Sequence, residues 1–243
     1  MATSENWIDG TVNIMWGTMK ELQRDIQVFD KLCLVFLGVY GWEYLTSLSA
    51  DYEIFKLFKQ RKFRPAQLLY LACRYSILGF LIGVNIAMEV TEVIDCEAIY
   101  RFNNLALGCT LGTASLLLMM RSLVVWAYDK RIMIPLLVLC LGHWGIIFRD
   151  IVGTHSSWNT MAGTCAVDAT FRYWMAIEFI YTMVLDFVIL CVTVAGVLVR
   201  LKMKSSVRDL ILHDGLMYFL CAFFANMIPS VFMLSHLNPV MDL

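Results

Sequence analysis

Residues Tyr173–Val199 read YWMAIEFIYTMVLDFVILCVTVAGVLV, an apolar run without a single Lys, Arg or Pro. Crossing the hydrocarbon core of a bilayer as a helix takes about 20 residues, so this run is long enough with turns to spare. Its few polar residues are not scattered. Glu178, Thr182 and Asp186 fall four positions apart, which stacks them along one helical face. Asp186 lies near the centre, where a lone carboxylate is least tolerated. It must face a bundle interior and there bind a partner, hold a proton or touch a water-filled cavity.

Outward from this run the same character repeats. Of the 243 residues, 60% are hydrophobic and only 16% charged, where a soluble domain carries about 25% charge. Mean hydropathy is +0.69. Five further runs predict spans over Leu32–Leu48, Ala66–Met88, Asn104–Ala127, Ile132–Val152 and Gly215–Ser235. The expected fold is all-α: a polytopic transmembrane helix bundle of six spans, with room for a seventh. The bundle would occupy residues 31–243, and residues 1–30 an amphipathic N-terminal segment. In that segment Ile8, Val12, Met15, Met19, Leu22, Ile26 and Phe29 recur every three or four positions, opposite Lys20, Glu21, Arg24 and Asp25. This pattern predicts a helix lying on the membrane interface, or one packed over the bundle mouth.

The loops alternate in charge. Lys56, Lys59, Arg61, Lys62 and Arg64 follow the first span, Lys130 and Arg131 the third, and Arg200, Lys202, Lys204 and Arg208 the fifth. The opposite side holds about half as many basic residues in more loop sequence. The excess of Lys and Arg on cytosolic loops then predicts a multi-pass protein of the endoplasmic reticulum or plasma membrane with both termini extracytosolic. Its first partners are membrane lipids. The formal net charge of −1 gives no reason to expect nucleic acid.

Six cysteines fall within the spans and read as small apolar residues. Cys96 and Cys165 fall in two loops on the extracytosolic side, where an oxidising compartment permits a disulfide; the alternative is two thiols too far apart to bond. No zinc-type Cys/His spacing, phosphate-binding glycine loop or Gly-x-Ser-x-Gly elbow occurs, so neither a metal nor another cofactor is expected. In the third span, Gly108, Gly112 and Ser115 present a small-residue face that lets a neighbouring helix approach closely.

Charged residues inside the other spans form a second pattern. Glu43, in GWEYLTSL at the end of the first span, follows Tyr40 by one turn. Arg74 and Arg121 lie at a matching depth on the second and third spans, about 8–13 Å from the cytosolic boundary at 1.5 Å per residue. Their depth predicts an ion-pair layer that locks helix register, or arginines that snorkel to the headgroups. Deeper in, His143 is central on the fourth span and Asn226 shares a face of the sixth with Ser230. With Glu178, Thr182 and Asp186 they would line a polar pocket, or act as polar glue between helices.

The segment GWEYLTSLSADYEIFKLFKQRKFRPAQLLYLACRY resembles the signature of a large family of fungal, mainly basidiomycete, multi-spanning proteins. The shared features are Trp42-Glu43-Tyr44-Leu45, the acidic turn Asp51-Tyr52-Glu53, the basic loop Lys59–Arg64 and Cys73-Arg74-Tyr75. MMRSLVVWAYDKR and LILHDGLMYFLCAFFAN add to the likeness. The resemblance implies a shared architectural role for Glu43, Arg74 and Arg121 and a receptor-like layout. Members of the family often continue into a seventh hydrophobic segment after the position of Asn238-Pro239, whereas this chain ends at Leu243. A slighter similarity, to fungal integral-membrane terpene cyclases, implies an intramembrane acid pair made of Glu43 with Asp186 or Asp214. Protonated carboxylic acids suit the activation of an epoxide or alkene. The sequence therefore leaves two functional expectations. One is a receptor-like protein binding a small lipophilic molecule; the other is a non-redox cyclase or isomerase of specialised metabolism.

Overall fold

A computed structural model describes residues 19–60, 65–89, 95–159, 164–167 and 169–201, together with Met217, Phe224 and Met227. Six helices and one hairpin make up the described chain: α1 (Met19–Thr46), α2 (Leu48–Lys59), α3 (Pro65–Glu89), α4 (Cys96–Val125), α5 (Lys130–Gly153), β1 (Ser156–Asn159), β2 (Thr164–Val167) and α6 (Ala169–Leu201). Helices α3, α4, α5 and the Trp174–Val199 part of α6 are each long and apolar enough to cross a membrane. The pair α1–α2 reaches that standard only as one span bent by 54°. Four to five spans therefore stand among the described residues where six were expected. The region of the sixth, Gly215–Ser235, lies outside them apart from Met217, Phe224 and Met227.

Residues 1–18 of the amphipathic segment lie outside the described residues; the rest of it, from Met19, is helical and continuous with the first expected span, the helix running to Thr46. The segment after Ser47, read as a basic loop, is the separate helix α2. Its density of Lys residues suggests a loop, yet Leu48, Tyr52, Phe55 and Phe58 keep a helical apolar spacing.

Helix α4 is the centre of the bundle. It packs on α3 along one side and on α5 and α6 along another, while α1 packs on α3. Asp95 starts α4 by accepting a hydrogen bond from the Ala98 N–H at 3.2 Å, and Asp129 starts α5 by accepting from the Arg131 N–H at 3.0 Å. Each carboxylate satisfies one of the N–H groups a helix start leaves without a partner. The reversal between α4 and α5 is made by Ala127 and Tyr128 at φ 51° and 59°, a left-handed conformation uncommon for residues other than Gly. The apolar core lies toward this end: Leu118, Met119 and Leu123 of α4 meet Leu136 and Cys140 of α5 and Leu185, Ile189 and Leu190 of α6.

At the opposite end, β1 and β2 pair antiparallel with Ser156 opposite Val167 and Trp158 opposite Cys165. Cys165 is joined by a disulfide to Cys96, the first residue of α4, across a Cα–Cα distance of 5.7 Å. The hairpin, which the sequence suggests only as a long capping loop, is thereby fixed over the start of α4.

Apolar side chains cover much of the outside of the bundle, and beside the apolar core its inside holds a set of buried polar ones. Val138, Leu141, Phe148 and Val152 of α5 and Val184, Phe187 and Leu198 of α6 are exposed, whereas Asp150, His143, Glu178, Thr182 and Asp186 are buried. Apolar side chains turned outward on spanning-length helices are the arrangement that a hydrocarbon solvent favours. The chain is a multi-pass helical membrane protein.

Candidate functional site

A polar seam runs between α4, α5 and α6, and helical spacing alone aligns it. On α6, Glu178, Thr182 and Asp186 repeat every four residues, about 6 Å apart along the axis. On α5, Asp150 and His143 are seven residues apart, and on α4 Gly108 and Ser115 have the same separation. Seven residues are close to two full turns, so each pair shares one face.

Near its centre the Ser115 hydroxyl donates to Asp186 Oδ1 at 2.8 Å, with Ser115 and Asp186 both buried. Ser115 therefore supplies the partner that Asp186 needs in this apolar setting. One turn up, Thr182 Oγ1 lies 2.8 Å from His143 Nε2 and also donates to the Glu178 carbonyl at 2.8 Å. The single hydroxyl proton can serve only one of these two contacts, so when the carbonyl takes it the ring nitrogen Nε2 carries a proton and donates to Thr182 Oγ1. Tyr181 stacks on the same imidazole at 5.7 Å between centroids and donates to the Leu139 carbonyl at 2.9 Å.

At the hairpin end of the seam, the carboxyl groups of Glu178 and Asp150 lie close together, and Glu178 Oε1 and Asp150 Oδ1 have no hydrogen-bond partner among the described residues. Beside them Asn104 Nδ2 donates to Thr154 Oγ1 at 2.8 Å, and the Thr154 hydroxyl donates to the Asp150 carbonyl at 2.9 Å.

Gly108 and Gly112 make the seam possible. A methyl group at Gly108 would sit 2.6 Å from Ile147 Cγ2 and 3.5 Å from Glu178 Oε1; one at Gly112 would sit 2.9 Å from Trp144 Cζ2. Without side chains, α4 lets α5 and the Glu178 carboxyl come against its backbone.

A second polar cluster joins α1, α2 and α3. Arg74 Nε lies 3.2 Å from Asp51 Oδ2, with the two side chains 7% and 3% exposed. Arg74 also donates to the Tyr44 carbonyl at 2.8 Å and the Tyr70 hydroxyl at 3.0 Å, and its guanidinium lies 4.9 Å from the centroid of the Tyr44 ring. Tyr40 returns a hydrogen bond to the Arg74 carbonyl at 2.9 Å. Tyr75 donates to Asp51 Oδ2 at 3.4 Å.

This cluster revises the expected ion-pair layer. The acid that meets Arg74 is Asp51, not Glu43. Tyr40 and Tyr44, one turn apart, turn toward α3, and Glu43 is rotated about 100° from Tyr44, which leaves its side chain exposed. Ser47 donates to the Glu43 backbone carbonyl at 2.5 Å rather than to its carboxylate. Arg121 is on an exposed face of α4. The proposed pairing of Glu43 with Asp186 as cyclase acids is likewise not assembled: Glu43 is on the outer face of α1, Asp186 lies between α4 and α6, and α3 stands between α1 and α4. Asp214 and Asn226 lie outside the described residues.

The seam thus brings together His143, Glu178, Thr182 and Asp186 and adds Asp150, Asn104 and Thr154, which sequence reasoning did not select, and Ser115, which it read only as part of a packing face. Asp150 and Thr154 sit at a helix end, where polar residues are ordinary. The signal for Ser115 was its position seven residues after Gly108, on the face already marked as close-packed. Among the described residues, no group of three or more His, Cys, Asp or Glu side chains is placed to hold a metal ion. No protein family, curated protein or solved structure matches the chain.

Proposed function

We propose that this membrane protein binds a small lipophilic molecule whose polar end carries a hydrogen-bond donor, a hydroxyl or an ammonium group. The observation that carries the proposal is the carboxyl pair Asp150–Glu178, buried between apolar helices with one acceptor oxygen on each residue left without a partner among the described residues. Buried acceptors of this kind cost free energy until a donor meets them. Their place at the hairpin end of the seam is where the polar end of an amphiphile would stop while its apolar body lay along the helices. No bond-making step is required of the seam: His143 and Asp186 are already engaged by Thr182 and Ser115.

The test compares the purified full chain with its Glu178→Gln variant. Bound small molecules are extracted with solvent and identified by mass spectrometry against a detergent blank. A donor-bearing lipophile enriched with the wild-type protein and at least tenfold depleted from Glu178→Gln is the expected result. No enriched molecule, or equal enrichment with both proteins, overturns the reading.

A further inference from the structure

We infer that α2 is an oblique boundary helix that binds the headgroups of anionic lipids through its Lys and aromatic face, held at its depth by the Asp51–Arg74 pair. The inference rests on membrane insertion of the bundle and is independent of the ligand proposed for the seam.

Contacts between α1 and α3 set the geometry. Asn85 Nδ2 lies 3.5 Å from the Cys33 carbonyl, and Arg74 donates to the Tyr44 carbonyl. The two helices therefore run antiparallel, and Thr46, at the end of α1, comes level with Leu71 or Ala72 of α3. From there to Pro65, the start of α3, is about 10 Å at 1.5 Å per residue. Helix α2 has 12 residues and departs from α1 at 54°, so it descends about 11 Å along the α1 direction. It therefore runs obliquely from the Arg74 layer to the level at which α3 begins, and that path lies outside the bundle proper.

The surface of α2 matches such a path. Tyr52, Phe55 and Phe58 are 69%, 54% and 54% exposed, and Lys56 and Lys59 are exposed with them. Aromatic rings with basic residues among them suit the headgroup boundary, where rings enter the acyl region and ammonium groups reach phosphate. The lysines lie in the last turn of α2, and Arg61, Lys62 and Arg64 follow in sequence. Two acids oppose these five basic residues. Asp51 is committed to Arg74, and Glu53 reaches Lys56 at 3.9 Å with both side chains more than half exposed, which screening weakens. The surplus is positive, and anionic headgroups attract such clusters. Asp51 sits in the first turn, so its pair with Arg74 fixes where the helix leaves α1 and keeps its basic end at the boundary.

Native mass spectrometry of the full chain, with added phosphatidylserine or phosphatidylcholine, tests this. The wild-type protein is expected to retain phosphatidylserine several-fold over phosphatidylcholine. Lys56→Gln with Lys59→Gln should cut that preference at least threefold. Removing equal charge at Lys130 and Arg131, on the same end of the bundle, should leave it within twofold. Raising salt from 50 to 500 mM should collapse the wild-type preference, a reading that needs no variant. A wild-type protein that does not discriminate, an α2 double variant that retains full preference, an equal loss from both double variants, or a salt-insensitive preference overturns the inference. Carbonate extraction of wild-type membranes separates this from a failure of insertion itself: the chain should stay in the pellet whichever way the lipid assay falls.

Discussion

Asp51 and Arg74 meet at 3.2 Å in a place almost closed to solvent, although Asp51 belongs to a short helix that otherwise barely touches the bundle. Removing one partner of a buried pair leaves the other charge uncompensated, at a cost of about 3–5 kcal/mol. Asp51→Asn and Arg74→Leu should each lower the thermal stability of the detergent-solubilised protein by that order, and the double variant by less than the sum. Glu43→Gln, on the exposed face of α1, should fall within about 0.5 kcal/mol of wild type. Thermal unfolding of all four proteins checks the set.

The hydrogen bond from Ser115 to Asp186 predicts a smaller effect. Interhelical hydrogen bonds in membrane proteins contribute about 0.6–1.7 kcal/mol. Ser115→Ala should destabilise by that order, and Ser115→Thr, which keeps the hydroxyl but adds a methyl at a fully packed position, should differ from it in the same unfolding assay.

Gly112→Ala should cost about 1–3 kcal/mol, because the new methyl meets the Trp144 ring at 2.9 Å and overpacking forces the helices apart. Gly145→Ala on α5 meets nothing within 4 Å, so helix propensity alone should leave it neutral or up to about 1 kcal/mol more stable. The unfolding midpoint should fall for Gly112→Ala and should not fall for Gly145→Ala.

Reduction of Cys96–Cys165 should also destabilise the hairpin end. The two residues are separated by 69 positions, for which loop-closure entropy gives about 4 kcal/mol. Cys96→Ser with Cys165→Ser should lower the unfolding midpoint and speed hydrogen exchange in the hairpin, while exchange at Leu118–Leu123 changes least.

The spans over α3 to α6 were legible in the sequence because apolar length alone decides them. The face of Glu178, Thr182 and Asp186 was legible because a four-residue repeat survives whatever surrounds it. Cys96 and Cys165 could be singled out because they lay in loops while their neighbours lay in spans. The partner of Arg74 was not legible. Depth along the chain nominated Glu43, but depth says nothing of rotation about the helix axis, and Tyr40 and Tyr44 claim the face that looks toward α3. Asp51 follows a bend of 54° that no cap or glycine announces; Ser47, at the break, makes no side-chain cap. Asp150 escaped notice for a related reason, since only the antiparallel register of α5 and α6 brings it to Glu178.

The disulfide also changes what the chain is as a covalent object. With Cys96 bonded to Cys165, residues 96–165 form a closed ring that contains α4, α5 and β1. A single cut anywhere within that ring, including the turn at Ala127–Tyr128, leaves the N- and C-terminal portions one molecule. Protease cleavage there would show as a split only after reduction, and α6, which follows the ring, would stay tethered to α3, which precedes it.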